Sequence, residues 1–126
     1  MTPFGERMRR LRHERGVTLK DMAAAIGVSP AYLSALEHGK RGRPGWHLIQ
    51  RTIAYFNIIW DEAEEVVRLA RISHPKITID TAGLDPRATE LANRLADSIA
   101  YLDNDGIDAL LVTLNERDSG RRKTKL

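Results

Sequence analysis

Cysteine is absent from the 126 residues, which excludes disulfide staples and thiolate metal sites. The four histidines, His13, His38, His47 and His74, lack metal-ligand spacing, so neither a metal nor another cofactor is expected. No apolar run approaches the roughly 18 residues that a membrane span needs, and no membrane partner is expected. The opening MTPFGERMRRLR is basic, but no apolar segment follows it, so it does not read as a signal peptide and a cytoplasmic location is expected. Nucleophile-elbow and phosphate-loop motifs are also missing, and nothing points to an enzyme. What remains is a chain long enough to bury a core of its own without staples.

Charge of one sign is unevenly placed. Residues 1–60 hold ten basic and four acidic side chains, residues 61–116 hold five and twelve, and residues 117–126 hold five and one. A basic front suits a polyanion such as DNA. An acidic middle would be repelled by phosphate and is expected to face away from it.

The hydrophobic pattern is helical almost throughout. Thr2-Pro3 reads as a cap and first turn, with Phe4, Met8 and Leu11 as an apolar stripe and Gly16 as a stop. A second helix follows Thr18, with Asp21 in capping-box position, and ends at Gly27. A third starts at Ser29-Pro30, turns Leu33 and Leu36 inward, and stops at Gly39. A fourth spans Trp46 to Phe56. A fifth opens on Asp61 and Glu64 as another capping box. After Pro75, Lys76 to Asp80 alternates with period two and is β-branched, which predicts a short strand. Asp85-Pro86 starts a sixth helix to about Leu102, and Asn104-Asp105-Gly106 reads as a turn before a seventh. Trp46 and Trp60 read as core or interface anchors. The organisation expected is a domain over 1–74, a strand and two helices over 75–118, and a disordered basic tail over 119–126.

The informative stretch is TLKDMAAAIGVSPAYLSALEHGKR, Thr18 to Arg41. Two short helices cross here with Gly27 and Val28 at the corner. Ala23 is small where they touch, and Met22, Ile26, Val28, Leu33 and Leu36 are apolar where they face a common core. Together with GERMRRLR in the first helix, this segment resembles the Cro/C1 (XRE) family of helix-turn-helix regulators over about residues 4–60. The resemblance implies an all-α, five-helix DNA-binding domain and operator binding as a dimer. It also implies an ion pair, Arg12 with Glu37, that ties the first helix to the recognition helix.

On that resemblance the third helix would lie in the major groove of double-stranded DNA, its N-terminal residues nearest the bases. The positions matching the family's base-reading set are Ser29, Pro30, Ala31, Ser34 and Ala35, with Tyr32 beside them. None is Gln, Asn or Arg, so no bidentate base contact is available from this helix. Specificity is then expected from DNA shape, from water, or from a longer residue outside the helix. Phosphate contacts are expected at the helix starts, Thr18 and Ser29, from Lys20, and from Lys40, Arg41 and Arg43 in the following loop. A homodimer is expected through the C-terminal part. The lone strand would pair with its copy through Ile77 and Ile79. Helices six and seven carry more apolar residues than two short helices can bury: Leu91, Leu95, Ile99, Leu110, Leu111 and Leu114. An antitoxin-type protein that grips another partner through the same helices is the alternative.

Overall fold

Hydroxyl caps set the starts of the first three helices. In the computed structural model, which describes the backbone of residues 1–124 and the side chains of residues 1–120, α1 is Pro3–Arg15, and Thr2 Oγ1 accepts from Gly5 N. Helix α2 is Leu19–Ile26, capped by Thr18 accepting from Asp21 N, and α3 is Pro30–Glu37, capped by Ser29 accepting from Tyr32 N. Each such cap satisfies one N–H that the helix itself cannot, worth about 1 kcal/mol. Helices α4, Trp46–Phe56, and α5, Trp60–Arg71, complete a five-helix bundle.

The chain forms two compact units, Met1–Thr78 and the residues from Ile79 onward. The first has a continuous core. Phe4 and Met8 from α1, Met22 and Ile26 from α2, Leu33 and Leu36 from α3, Phe56 from α4 and Val66 from α5 are all at most 1% exposed. Ser73 ties the end of this unit back to its beginning: its hydroxyl accepts from Phe4 N at 2.8 Å and donates to Leu69 O.

The second unit contains α6, Pro86–Ser98, a 3-10 turn at Ile99–Tyr101, and α7, Asn104–Thr124. It has no buried residue among those described. Leu91, Ile99, Leu110, Leu111 and Leu114 are all exposed and Leu95 is half-buried.

Several sequence expectations are corrected. Residues 76–80 form no strand, Lys76 lying in a bend and 77–80 having no regular structure, and no strand occurs among the described residues. A ladder needs a second strand to pair with, and none occurs among the described residues. The capping box at Asp61 and Glu64 is not made, because α5 starts earlier, at Trp60, with no side-chain cap. Only Ile58 and Ile59 separate Asn57, the C-cap of α4, from that start, and Ile58 is drawn into the core. Asn104-Asp105-Gly106 is the first turn of α7 rather than a loop; Asp103 Oδ1 accepts from Gly106 N at 2.7 Å. Trp46 and Trp60 are not core residues, being 61% and 80% exposed. Helix α7 runs to Thr124, past Ser119 where disorder is expected. Lys125 and Leu126 of that tail lie outside the described residues.

Candidate nucleic-acid interface

Helices α2 and α3 cross at a corner of small residues. Ala23 is fully buried at the crossing, and Val28 N donates back to Ala23 O at 3.0 Å, which closes the turn. Arg51, from α4, donates to Ile26 O at 3.2 Å, placing a cation at the carbonyl end of α2. Arg51 is a residue that sequence reasoning overlooks, since nothing in its own neighbourhood marks it as a cap for a distant helix.

The seat of α3 is built around Glu37. Its carboxylate is 2% exposed and takes both arms of Arg12, itself 10% exposed; Arg12 Nη2 to Glu37 Oε1 is 2.9 Å, and Nη1 makes the second, shorter contact. Arg12 Nη1 also approaches Met22 Sδ at 3.5 Å, so one guanidinium touches both α2 and α3. The Glu37 carbonyl is held too, accepting from Thr2 N at 3.0 Å and from the Thr2 hydroxyl. Between these contacts lies Gly5. A Cβ there would sit 2.2 Å from Glu37 O and 2.7 Å from its Cα. Only a glycine lets the backbones of α1 and α3 approach this closely. A glycine inside a strongly helical pattern hints at a packing reason, so this signal was in the sequence.

The opposite face of α3 is open. Ser29, Pro30, Ala31 and Tyr32 are exposed, and Ser34 and Ala35 are half-buried. The two helix starts differ in what they can offer an anion. In α3, Pro30 has no N–H and that of Tyr32 is taken by the Ser29 hydroxyl, which leaves Ala31. In α2, the Thr18 hydroxyl takes only the N–H of Asp21, which leaves Leu19 and Lys20. Helix α2 is therefore the better phosphate acceptor, with the exposed Lys20 beside it.

The loop after α3 turns back along the helix. Lys40 N donates to Ala35 O at 2.8 Å, and Gly39 and Gly42 adopt φ of 78° and 77°, a conformation that side chains resist. Lys40, Arg41 and Arg43 are all exposed. They are not equivalent: the Arg41 guanidinium lies over the Tyr32 ring, 5.8 Å from its centroid. Of the dimerisation candidates, Leu91 and Leu95 lie on α6, Ile99 on the 3-10 turn and Leu110, Leu111 and Leu114 on α7, and none of them is buried. Ile77, near the end of the first unit, and Ile79, at the start of the second, are 71% and 55% exposed.

These features define a helix-turn-helix with an exposed, firmly seated second helix. Residues 3–58 match the family described as "Helix-turn-helix domain". The chain is 36% identical over 61 residues to the uncharacterized HTH-type transcriptional regulator RghRB of Bacillus subtilis (strain 168), a stretch covering 48% of this chain and 44% of that protein. It is 50% identical over 44 residues to the HTH-type transcriptional repressor RghR of the same organism, covering 35% and 33%. The matched stretch thus spans less than half the length of either relative. A chain from a solved SinR protein/SinI protein complex superposes with a TM-score of 0.43 at 22% identity, over 92% of this chain and 98% of that one. Residues 3–58 are a helix-turn-helix domain in an all-α fold, similar to those of XRE-type DNA-binding transcriptional regulators. No helix among the described residues is long and apolar enough to cross a membrane.

Proposed function

We propose that the chain is a sequence-specific transcriptional regulator that binds double-stranded DNA as a homodimer in the cytoplasm. The observation that carries DNA binding is the seating of α3. Its inner end is clamped through Glu37 by Thr2, Gly5 and Arg12, while its outer face and the basic loop beyond it stay exposed. Thr18, Lys20, Lys40 and Arg43 are the candidate phosphate contacts, and Ser29, Pro30, Ala31, Tyr32, Ser34 and Ala35 face the bases. Short side chains there suit contacts to thymine methyls and to DNA shape.

The dimer rests on the second unit. Two helices that bury no residue cannot be stable by hydrophobic burial within one chain. Leu91, Ile99, Leu110, Leu111 and Leu114, all exposed, supply an apolar face for a second copy, with Leu95 beside them. Two-fold pairing would carry two α3 helices to half-sites one helical turn apart, about 34 Å. The same exposed leucines favour one other reading, a different protein partner bound through α6 and α7.

Two measurements test this. Selection of bound duplexes from a random library, followed by fluorescence anisotropy on the enriched sequence and a scrambled one, should give a preference of about a thousandfold or more. Sedimentation should give a dimer at micromolar concentration. Equal binding to both duplexes sinks sequence-specific regulation; a monomeric full chain sinks the homodimer and leaves the other partner as the reading.

A further inference from the structure

Helix α3 presents no side chain long enough to read a base with two hydrogen bonds, yet one such side chain is held beside it. We propose that Arg41, held over the Tyr32 ring, reads a guanine in the major groove, and so acts as a specificity-determining residue rather than a phosphate contact. The inference rests on the DNA-binding reading above.

Geometry carries it. Tyr32 is the third residue of α3, in the N-terminal half that a helix-turn-helix points at base edges. Arg41 lies beyond the other end of the helix in sequence. The loop that starts at Gly39 brings it back, with Lys40 N bound to Ala35 O, so that its guanidinium carbon comes to rest 5.8 Å from the Tyr32 ring centroid. The π face of the ring attracts the guanidinium charge without tying it to a carboxylate, so it holds Arg41 beside α3 and leaves N–H donors for DNA. No carboxylate among the described residues forms an ion pair with it. A guanidinium presents a fork of donors, the shape that matches O6 and N7 of guanine. Tyr32 is 38% exposed, so it is anchored by its own helix while offering a face to the loop. Lys40 and Arg43 have no such platform, and they keep the role of flexible charges suited to phosphate.

The test uses the full chain and the duplex it selects from a random library. The duplex is remade with 7-deazaguanine at each guanine in turn, which removes N7 alone. Wild-type protein should lose about 5- to 150-fold in affinity at one guanine and little elsewhere. Arg41→Ala and Arg41→Lys should be indifferent to that replacement. Arg41→Lys keeps the charge and should leave the dependence of affinity on salt unchanged. Tyr32→Phe keeps the ring and should keep the discrimination, while Tyr32→Ala should weaken it. Arg41 is an exposed loop residue, so unchanged thermal melting will confirm that its variants fold. The inference is overturned if the Arg41 variants discriminate as wild type does. It is overturned equally if Arg41→Ala keeps the guanine preference and only flattens the log–log salt slope by about 0.9, the mark of a phosphate contact. Wild-type protein that enriches no sequence would refute sequence-specific binding itself, before any variant is compared.

Discussion

Replacing Gly5 by alanine sets two effects of opposite sign against each other. On helix propensity alone the change is favourable, by about 1 kcal/mol. The structure says otherwise. The new methyl would lie 2.2 Å from Glu37 O, against about 3.4 Å for ordinary contact, and the atoms it meets are backbone, which cannot rotate away. Helices α1 and α3 would have to part by about 1 Å in a core packed to crystal density. Overpacking of this kind costs ~1–3 kcal/mol. Stretching the 3.0 Å bond from Thr2 N to Glu37 O adds about 0.5–1.5 kcal/mol. The net expectation is a loss of roughly 1–3 kcal/mol, or a fall in Tm of about 5–20 °C for a domain of this size. Thermal unfolding followed by far-UV circular dichroism measures it, with Gly45→Ala as the control, since a Cβ at Gly45 meets no atom within 4 Å. DNA affinity should fall as well, measured below the melting range, because the displaced helix is α3. A Gly5→Ala protein that melts at or above the wild-type temperature would refute the close approach of α1 and α3.

Further expectations follow from the same contacts. A double-mutant cycle on Arg12 and Glu37 should show strong coupling, each single alanine costing about 3–5 kcal/mol because it strands the other charge; additive losses would mean that the pair is not made. Alanine at Lys20, Lys40 or Arg43 should weaken binding to all duplexes alike, each flattening the log–log salt slope by roughly 0.9; a change in base preference instead would assign that residue to the bases. Leu91→Arg, on a side chain 65% exposed in the single chain, should leave the melting of a monomer untouched but shift sedimentation from dimer to monomer; an unchanged dimer would remove Leu91 from the interface. A chain ended after Thr78 keeps every member of the first core and should fold and remain monomeric; dimers of it would move the interface into the first unit.

Local chemistry made much of the first unit legible in advance. Thr2, Thr18 and Ser29 are caps because a hydroxyl before a helical pattern has an N–H to satisfy, and that logic needs no knowledge of the fold. Met22, Ala23, Ile26, Leu33 and Leu36 were readable because the crossing of two helices imposes size and polarity at fixed spacing. What stayed hidden depends on contacts between distant segments. Arg51 on Ile26 O and Ser73 on Phe4 N join residues whose sequence separation gives no local cue, and although a glycine inside a helix marks Gly5, nothing local names Glu37 as its neighbour. The β-branched run at Lys76 to Asp80 misled for the complementary reason. Alternation records what a segment can do, and a strand also requires a partner. Of the two expectations for Trp46 and Trp60, burial in the core fails, because Phe4, Phe56 and aliphatic side chains make up that core instead.

The two units answer different parts of one physical problem. An α3 surface of Ser, Ala and Pro gains little from any single base, so one domain alone should distinguish an operator from other DNA only weakly. Joining two such domains makes the second half-site an intramolecular event, which multiplies affinity without any new contact to DNA. On the proposed reading, that is why an acidic, apolar-faced pair of helices follows a basic domain: its leucines join two copies, and its carboxylates keep the junction off the phosphates. The two contributions can be separated. Loss of the dimer through Leu91→Arg should abolish the advantage of a two-half-site duplex over a single half-site, while leaving the preference of each domain for its guanine intact. Loss of Arg41 should do the reverse. Variants that fail together in both assays would mean that base reading and pairing are not carried by separate units, and the division of labour drawn here would have to be abandoned.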